Sequence, residues 1–160
     1  MKPDGAPVRT VRVLLLSGPN LQLLGDRQPE IYGRETLQEI VARARASAES
    51  HGLELEHFQS DAEADLVRAV HRARRSGEAP SEAIIVNAGA LSHYGWSLHD
   101  ALAAFDGIVV ELHLSNPLAR EPWRHTSVLA PVADGSVAGF GSLGYELAVV
   151  AVARLLEARA

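Results

Sequence analysis

Five strand-like runs alternate with helix-forming segments along the chain, and that alternation constrains its fold more than any other feature. Val13 to Leu16 is a continuous apolar run inside a first strand expected over Val8 to Ser17, the pattern of a strand buried on both faces. Thr36-Leu37-Gln38-Glu39 spells a capping box. It opens a helix with Leu37, Ile40, Val41 and Ala44 on one face, ending near Gly52. Leu53 to Gln59 alternates as a second strand. Ser60-Asp61-Ala62-Glu63 predicts a second capping box, ahead of a helix with Leu66, Val67 and Val70 inward. Ser76 to Ser81 reads as a turn, and Ala83 to Asn87 as a third, fully buried strand. A helix then runs through Leu98, Ala101, Leu102 and Phe105 and stops at Asp106-Gly107. Ile108 to Leu114 is the fourth strand, and Asn116 to Arg124 a short turn of helix bounded by prolines. Ser136 to Phe140 is a short fifth strand. The last helix runs from about Gly144 to Ala158. Strands separated by helices pair in parallel, with right-handed crossovers. The expected class is therefore α/β: a flavodoxin-like three-layer sandwich with a five-stranded parallel sheet. Residues 1–7 are expected to form a flexible tail, and residues 8–160 a single domain.

Composition excludes several kinds of chemistry. With 160 residues, 47% of them apolar, the chain can bury a real core. Its net charge of −5 argues against a nucleic-acid footprint. There is no cysteine, so thiolate nucleophiles and thiolate metal sites are out. The only lysine is Lys2, in the tail, which argues against a Schiff-base lysine. No long apolar segment precedes the first strand, so neither a signal peptide nor a membrane span is expected, and the setting is taken as cytoplasmic.

Ligands of open α/β sheets sit beyond the carboxyl ends of the strands. The first strand ends in the turn cluster Ser17-Gly18-Pro19-Asn20, which places Asn20 at that edge. Asp26, Arg27, Glu30, Tyr32 and Arg34 follow, spaced by Gly25, Pro29 and Gly33, in what reads as a long loop rather than an element. The third strand delivers Asn87 and Gly89, with Ser92 and His93 just after. The fourth carries Glu111, His113 and Ser115 at alternate positions, which share one face. Arg120 and Arg124 are four apart, so a helical turn places both on one side. Structural alternatives stand beside each: His93 as a helix cap, Glu111 and His113 as a buried pair without chemistry, and Arg120 paired with Glu121 or Glu111. His93, His113 and His125 lie on separate segments without ligand spacing, so no metal is expected. There is no Walker loop and no dinucleotide fingerprint. A receiver's acidic residues at the ends of strands one and three are also missing.

Four ordered stretches, SGPNLQLLGDRQPEIYG, NAGALSHYGWSLHDAL, VELHLSNPLAREPWRHTS and GFGSLGYELAV, resemble the type II 3-dehydroquinate dehydratases over nearly the whole chain. The resemblance implies a catalytic domain, assembled as trimers and then a homododecamer. The implied reaction is reversible loss of water from 3-dehydroquinate to give 3-dehydroshikimate, with no cofactor and no metal. The substrate is then a small molecule, with neither nucleic acid nor membrane as partner. Tyr32 matches the base that takes a proton from C2, beside the ketone, and Arg27 the loop arginine that helps ionise it. Asn20 matches the asparagine holding a water against the enolate oxygen. His113 matches the acid that protonates the departing C1 hydroxyl, and Glu111 its orienting carboxylate. Asn87, Gly89, His93, Ser115 and Arg124 match substrate-binding positions, with the backbone N–H groups of Leu114 and Ser115 on the carboxylate. Arg120 matches an arginine near the base, and Asp100 a residue reaching a neighbour's site across the trimer. Ser17 departs from the pattern, which has asparagine there. Tyr94 and Trp96 depart too, as bulky groups beside His93 that pack in the core, at a trimer contact or against the pocket. The alternatives to this function are the same elimination on a 5-amino-5-deoxy analogue, and a non-catalytic relative that binds a small acid.

The chemistry asks for these residue types. A free tyrosine, with a pKa of about 10, is roughly 0.1% ionised at pH 7. A guanidinium about 4 Å away offers on the order of 4 kcal/mol toward the phenolate, before desolvation. Arginine suits that task because it cannot lose its own proton to the phenolate. An enolate needs a preorganised donor, and a poor leaving hydroxide needs an acid such as histidine.

Overall fold

The computed structural model describes residues 10–160. The expected tail and the first two residues of the expected first strand lie outside the described residues. Five parallel strands, β1 (Val11–Ser17), β2 (Leu53–Gln59), β3 (Ala83–Asn87), β4 (Ile108–His113) and β5 (Gly135–Ala138), pair in the order β2-β1-β3-β4-β5. That is the doubly wound flavodoxin order, with its switch point between β1 and β3. The side chains of β1 alternate strictly. Val13 and Leu15 enter one apolar layer with α2 (Leu37–Ser50) and α5 (Leu143–Arg159). Leu14 and Leu16 enter the other, with α3 (Glu63–Ala73) and α4 (Trp96–Ala103). Each fully buried leucine or isoleucine contributes about 1.5–3 kcal/mol, so both layers hold the sheet between its helices.

Register brings the polar strand ends together. Ser17 stands opposite both Gln59 and Asn87, and Val86 opposite Glu111. Gly18 is required at the end of β1, because a Cβ there would lie 2.4 Å from the Ala88 carbonyl oxygen. Its N–H donates to the Asn87 carbonyl at 2.8 Å, tying the two strand ends at the switch point.

The Thr36 capping box opening α2 is present in both directions, Thr36 to the Glu39 N–H and Glu39 back to the Thr36 N–H. The second expected box is not. Helix α3 starts behind Ala62 with no side-chain cap, while Ser60 donates instead to Asp65 and accepts from the Ala62 N–H. The segment read as an unstructured loop holds a 3-10 turn, Leu21–Leu23, and one helical turn, α1 (Pro29–Tyr32), which Pro29 starts by supplying a preset φ. The expected helical turn over Asn116 to Arg124 is two separate 3-10 turns, Pro117–Ala119 and Pro122–Arg124, split by extended Arg120. Helix α4 stops at Ala103, and Phe105 packs into the core from beyond its end.

Candidate active site

Strand β4 delivers the first half of the site. Glu111 is 1% exposed, and its Oε1 lies 2.6 Å from His113 Nε2. Ser127 Oγ donates to the same oxygen at 2.6 Å, and itself accepts from the N–H groups of Leu129 and Ala130. A carboxylate buried this deeply needs such partners. With Nε2 committed to Glu111, Nδ1 is the nitrogen His113 has left for a ligand. The His93 ring stacks near it, centroids 6.2 Å apart and planes 18° off parallel. His93 Nδ1 donates to the Thr126 carbonyl at 2.8 Å, which leaves its Nε2 free, and the edge of Trp123 bears on the ring.

The segment between β1 and α2 delivers the second half. Asn20 takes a left-handed conformation, φ 69°, and its N–H donates to Asp61 Oδ1 at 2.9 Å. The Gln22 amide donates to Asp61 Oδ2 at 2.7 Å. These donors, the Asn20 N–H first, hold Asp61 below the usual carboxylate range. Helix α1 ends on Tyr32, and Gly33 turns the chain away at φ 84°. Arg120 Nη1 donates to the Tyr32 hydroxyl oxygen at 2.7 Å, and lies 3.4 Å from Ser115 Oγ. The Arg120 and Arg27 guanidinium carbons stand 5.3 Å and 5.5 Å from the centre of the Tyr32 ring. Beyond Gly33, Glu35 is tied to Arg43 and Ser142, and those bonds hold its carboxyl below the usual range.

Between the two halves lies a pocket, open on one side, at the ends of β1, β3 and β4. Asn20, Arg27, Tyr32, Asn87, Gly89, His93, His113, Leu114, Ser115, Arg120 and Arg124 all border it. Glu111 stands behind His113. Arg124 lies across the Trp123 ring at 4.0 Å and donates to Glu121 at 2.7 Å. Three arginines and two histidines border the pocket and no carboxylate does, so it favours an anionic ligand.

Asp100 is not brought to this pocket. Its side chain is 83% exposed on α4 and pairs with His99. Tyr94 and Trp96, at 58% and 62% exposed, are neither core residues nor pocket residues, which corrects two of the three expectations for them. Arg120 does approach Glu121, at 3.7 Å, but not at the expense of Tyr32. Among the described residues no group of three His, Asp or Glu side chains is placed to hold a metal, and no helix is long and apolar enough to cross a membrane. Sequence reasoning missed Ser127, Asp61 and Tyr145, whose buried hydroxyl accepts from Asn87 Nδ2 at 2.9 Å, as supports of the site. Ser127 sits in a stretch with no periodicity to mark it, whereas Asp61 was assigned to a cap that does not form.

The fold and pocket define a doubly wound α/β protein with an arginine- and histidine-lined pocket at its topological switch point, bordered by a tyrosine under two arginines and a histidine backed by a buried carboxylate. The family model for dehydroquinase class II matches residues 11–153, and the chain belongs to that family. A 3-dehydroquinate dehydratase of Bacillus licheniformis is 48% identical over 137 residues, 86% of this chain and 92% of that one. Crystal structures of type II dehydroquinases are similar throughout. The one from Butyrivibrio crossotus superposes with a TM-score of 0.84 at 34% identity, covering 89% of this chain and 97% of that one. The one from Propionibacterium acnes gives 0.84 at 36%, covering 91% and 99%.

Proposed function

We propose that this protein is a 3-dehydroquinate dehydratase, a hydro-lyase of the shikimate pathway, working through an enolate with Tyr32 as base and His113 as acid. The observation that carries the reading is the 2.7 Å contact from Arg120 to the Tyr32 oxygen, with Arg27 beside the same ring. A donor at the phenol oxygen and a second cation beside the ring are the surroundings a tyrosine base calls for. Tyr32 would remove the C2 proton, and the electron pair would move onto the C3 ketone oxygen as an enolate. Asn20, at the pocket edge, would hold a water against that oxygen. The enolate would then collapse, forming the C1–C2 double bond as the C1 hydroxyl leaves with a proton from His113. Glu111 would fix the orientation of the ring. Leu114 and Ser115 N–H groups would hold the carboxylate, and Asn87, Gly89, His93 and Arg124 would bind the rest of the substrate.

No step here calls for a metal or an imine. Product should therefore form with EDTA present and after borohydride treatment. The test is a steady-state assay with 3-dehydroquinate, following ultraviolet absorbance of the conjugated enone carboxylate. Absence of product from folded protein would refute the assignment.

The same reading makes residues 8–160 one cytoplasmic catalytic domain, assembled as trimers and a homododecamer, with Asp100 reaching a neighbour's pocket. Exposed Trp96 and Asp100, one turn apart on α4, support a contact there. Sedimentation should give a stable oligomer, and a monomer would remove the role of Asp100.

A further inference from the structure

Glu121 stands outside the pocket, yet it faces two arginines that border it. Pro122 opens the 3-10 turn Pro122–Arg124, with Glu121 just ahead of it, and the Arg124 N–H donates to the Glu121 carbonyl at 2.9 Å. Side chains three apart eclipse in such a turn, which sets Arg124 over Glu121. Glu121 Oε2 accepts from Arg124 Nε at 2.7 Å, and the same oxygen lies 3.7 Å from Arg120 Nε. The Arg120 and Arg124 side chains are only 13% and 15% exposed, against 54% for Glu121. Its own backbone N–H, and then Arg124, hold the Glu121 carboxyl below the usual range, so it is charged at neutral pH. Pairs between two exposed side chains contribute little, but this carboxylate meets cations largely withdrawn from water. Arg124 also lies over the Trp123 ring at 4.0 Å, so its guanidinium is held by one edge and one face.

We infer that Glu121 is a positioning residue that orients Arg120 and Arg124 together, holding each by its Nε edge so that each turns its Nη end to the pocket. For Arg120 the outcome is visible: Nη1 reaches the Tyr32 hydroxyl at 2.7 Å and Ser115 Oγ at 3.4 Å. For Arg124 the Nε edge and one face are taken, which leaves the Nη groups for a ligand in the pocket it borders. One carboxylate thereby links the arginine at the tyrosine to the arginine at the ligand, and its charge offsets their mutual repulsion. An arginine free to rotate would have to be ordered as the ligand binds, and Glu121 does this in advance.

The inference rests on the proposed function for its kinetic arm only. Glu121→Ala releases both arginines. It should raise KM for 3-dehydroquinate about tenfold through Arg124 and lower kcat about tenfold through Arg120. Glu121→Gln keeps an acceptor oxygen for Arg124 Nε, so its KM should stay within about threefold of the wild type. In an Arg124→Met background, Glu121→Ala should raise KM no further. The second arm needs no turnover. The chain has two tryptophans, so Trp96→Phe leaves Trp123 as the one that fluoresces. Arg124 covers a face of that ring, so adding Glu121→Ala should increase quenching of Trp123 by acrylamide, and adding Glu121→Gln should not. An unchanged KM or kcat in Glu121→Ala, a Glu121→Gln KM as high as that of Glu121→Ala, a further KM rise in the Arg124→Met background, or unchanged quenching would overturn the inference. If the wild type does not turn over 3-dehydroquinate, the proposed function fails and the quenching alone decides this inference. If Glu121→Ala does not fold, Glu121→Asp, which withdraws the carboxylate by one methylene, carries both arms in the same direction.

Discussion

His113 stands at the end of a central strand, its partner Glu111 1% exposed and bonded from two sides. Tyr32 stands at the end of a four-residue helical turn that has no buried residue. One half of the pocket is built by the sheet; the other is held by side-chain contacts, chiefly Arg120 to Tyr32. Deep burial makes the His113 half, proposed to carry the acid, rigid and sensitive to any loss of a partner. The Tyr32 half, proposed to carry the base, has little packing of its own, so its geometry depends on Arg120 and Arg27, with Asp61 and Glu35 tying down its two ends. Regions of low local stability are also those that move when ligands bind.

Substitutions can break this contrast at either half. The largest effect should come from Tyr32→Phe, which keeps the ring and removes the hydroxyl proposed as base. A fall in kcat of about 10³-fold is expected, with binding retained, and a stopped-assay rate together with calorimetric titration checks it. Arg120→Met should cost about 10²-fold in kcat and leave the unfolding midpoint nearly where it was, because the base half contributes little packing. Glu111→Gln acts oppositely. About tenfold in kcat should be lost, but the urea midpoint should also drop, since a buried hydrogen-bonded carboxylate is replaced by an amide with the wrong proton count.

The smallest effect is on stability against pH. His57 is held near 4 in the fold against 6.5 for the free side chain. The unfolded chain therefore binds the proton first. The stabilisation is complete above pH 6.5 and is lost progressively as pH falls toward 4. His57→Gln should flatten that part of the urea-midpoint profile relative to the wild type, and a profile of unchanged slope would remove His57 as its source.

The contrast also explains what could be read from residues alone. The apolar alternation of β1 and the unbroken run of β3 specify buried parallel strands, and with them the strand ends that carry Asn87, Glu111 and His113. The Thr36 box was legible because its two partners are local in sequence. Helix α1 was not, since one turn starting at Pro29 has no periodicity to detect. The Ser60 box failed because Ser60 and Asp65 satisfy each other first. Contacts over long separations, such as Arg120 to Tyr32, Ser127 to Glu111 and Asn87 to Tyr145, follow from the topology and have no local signal. Arg120 was placed near the base only through the family resemblance, and Tyr145 not at all.

The most direct test of a pocket divided into base and acid is hydrogen exchange at C2 of 3-dehydroquinate in D₂O, followed by NMR with two variants. His113→Asn keeps the base and lacks the acid, so it should exchange the C2 hydrogen while dehydrating slowly. Tyr32→Phe should neither exchange nor dehydrate. Exchange by Tyr32→Phe, or none by His113→Asn, would contradict the division.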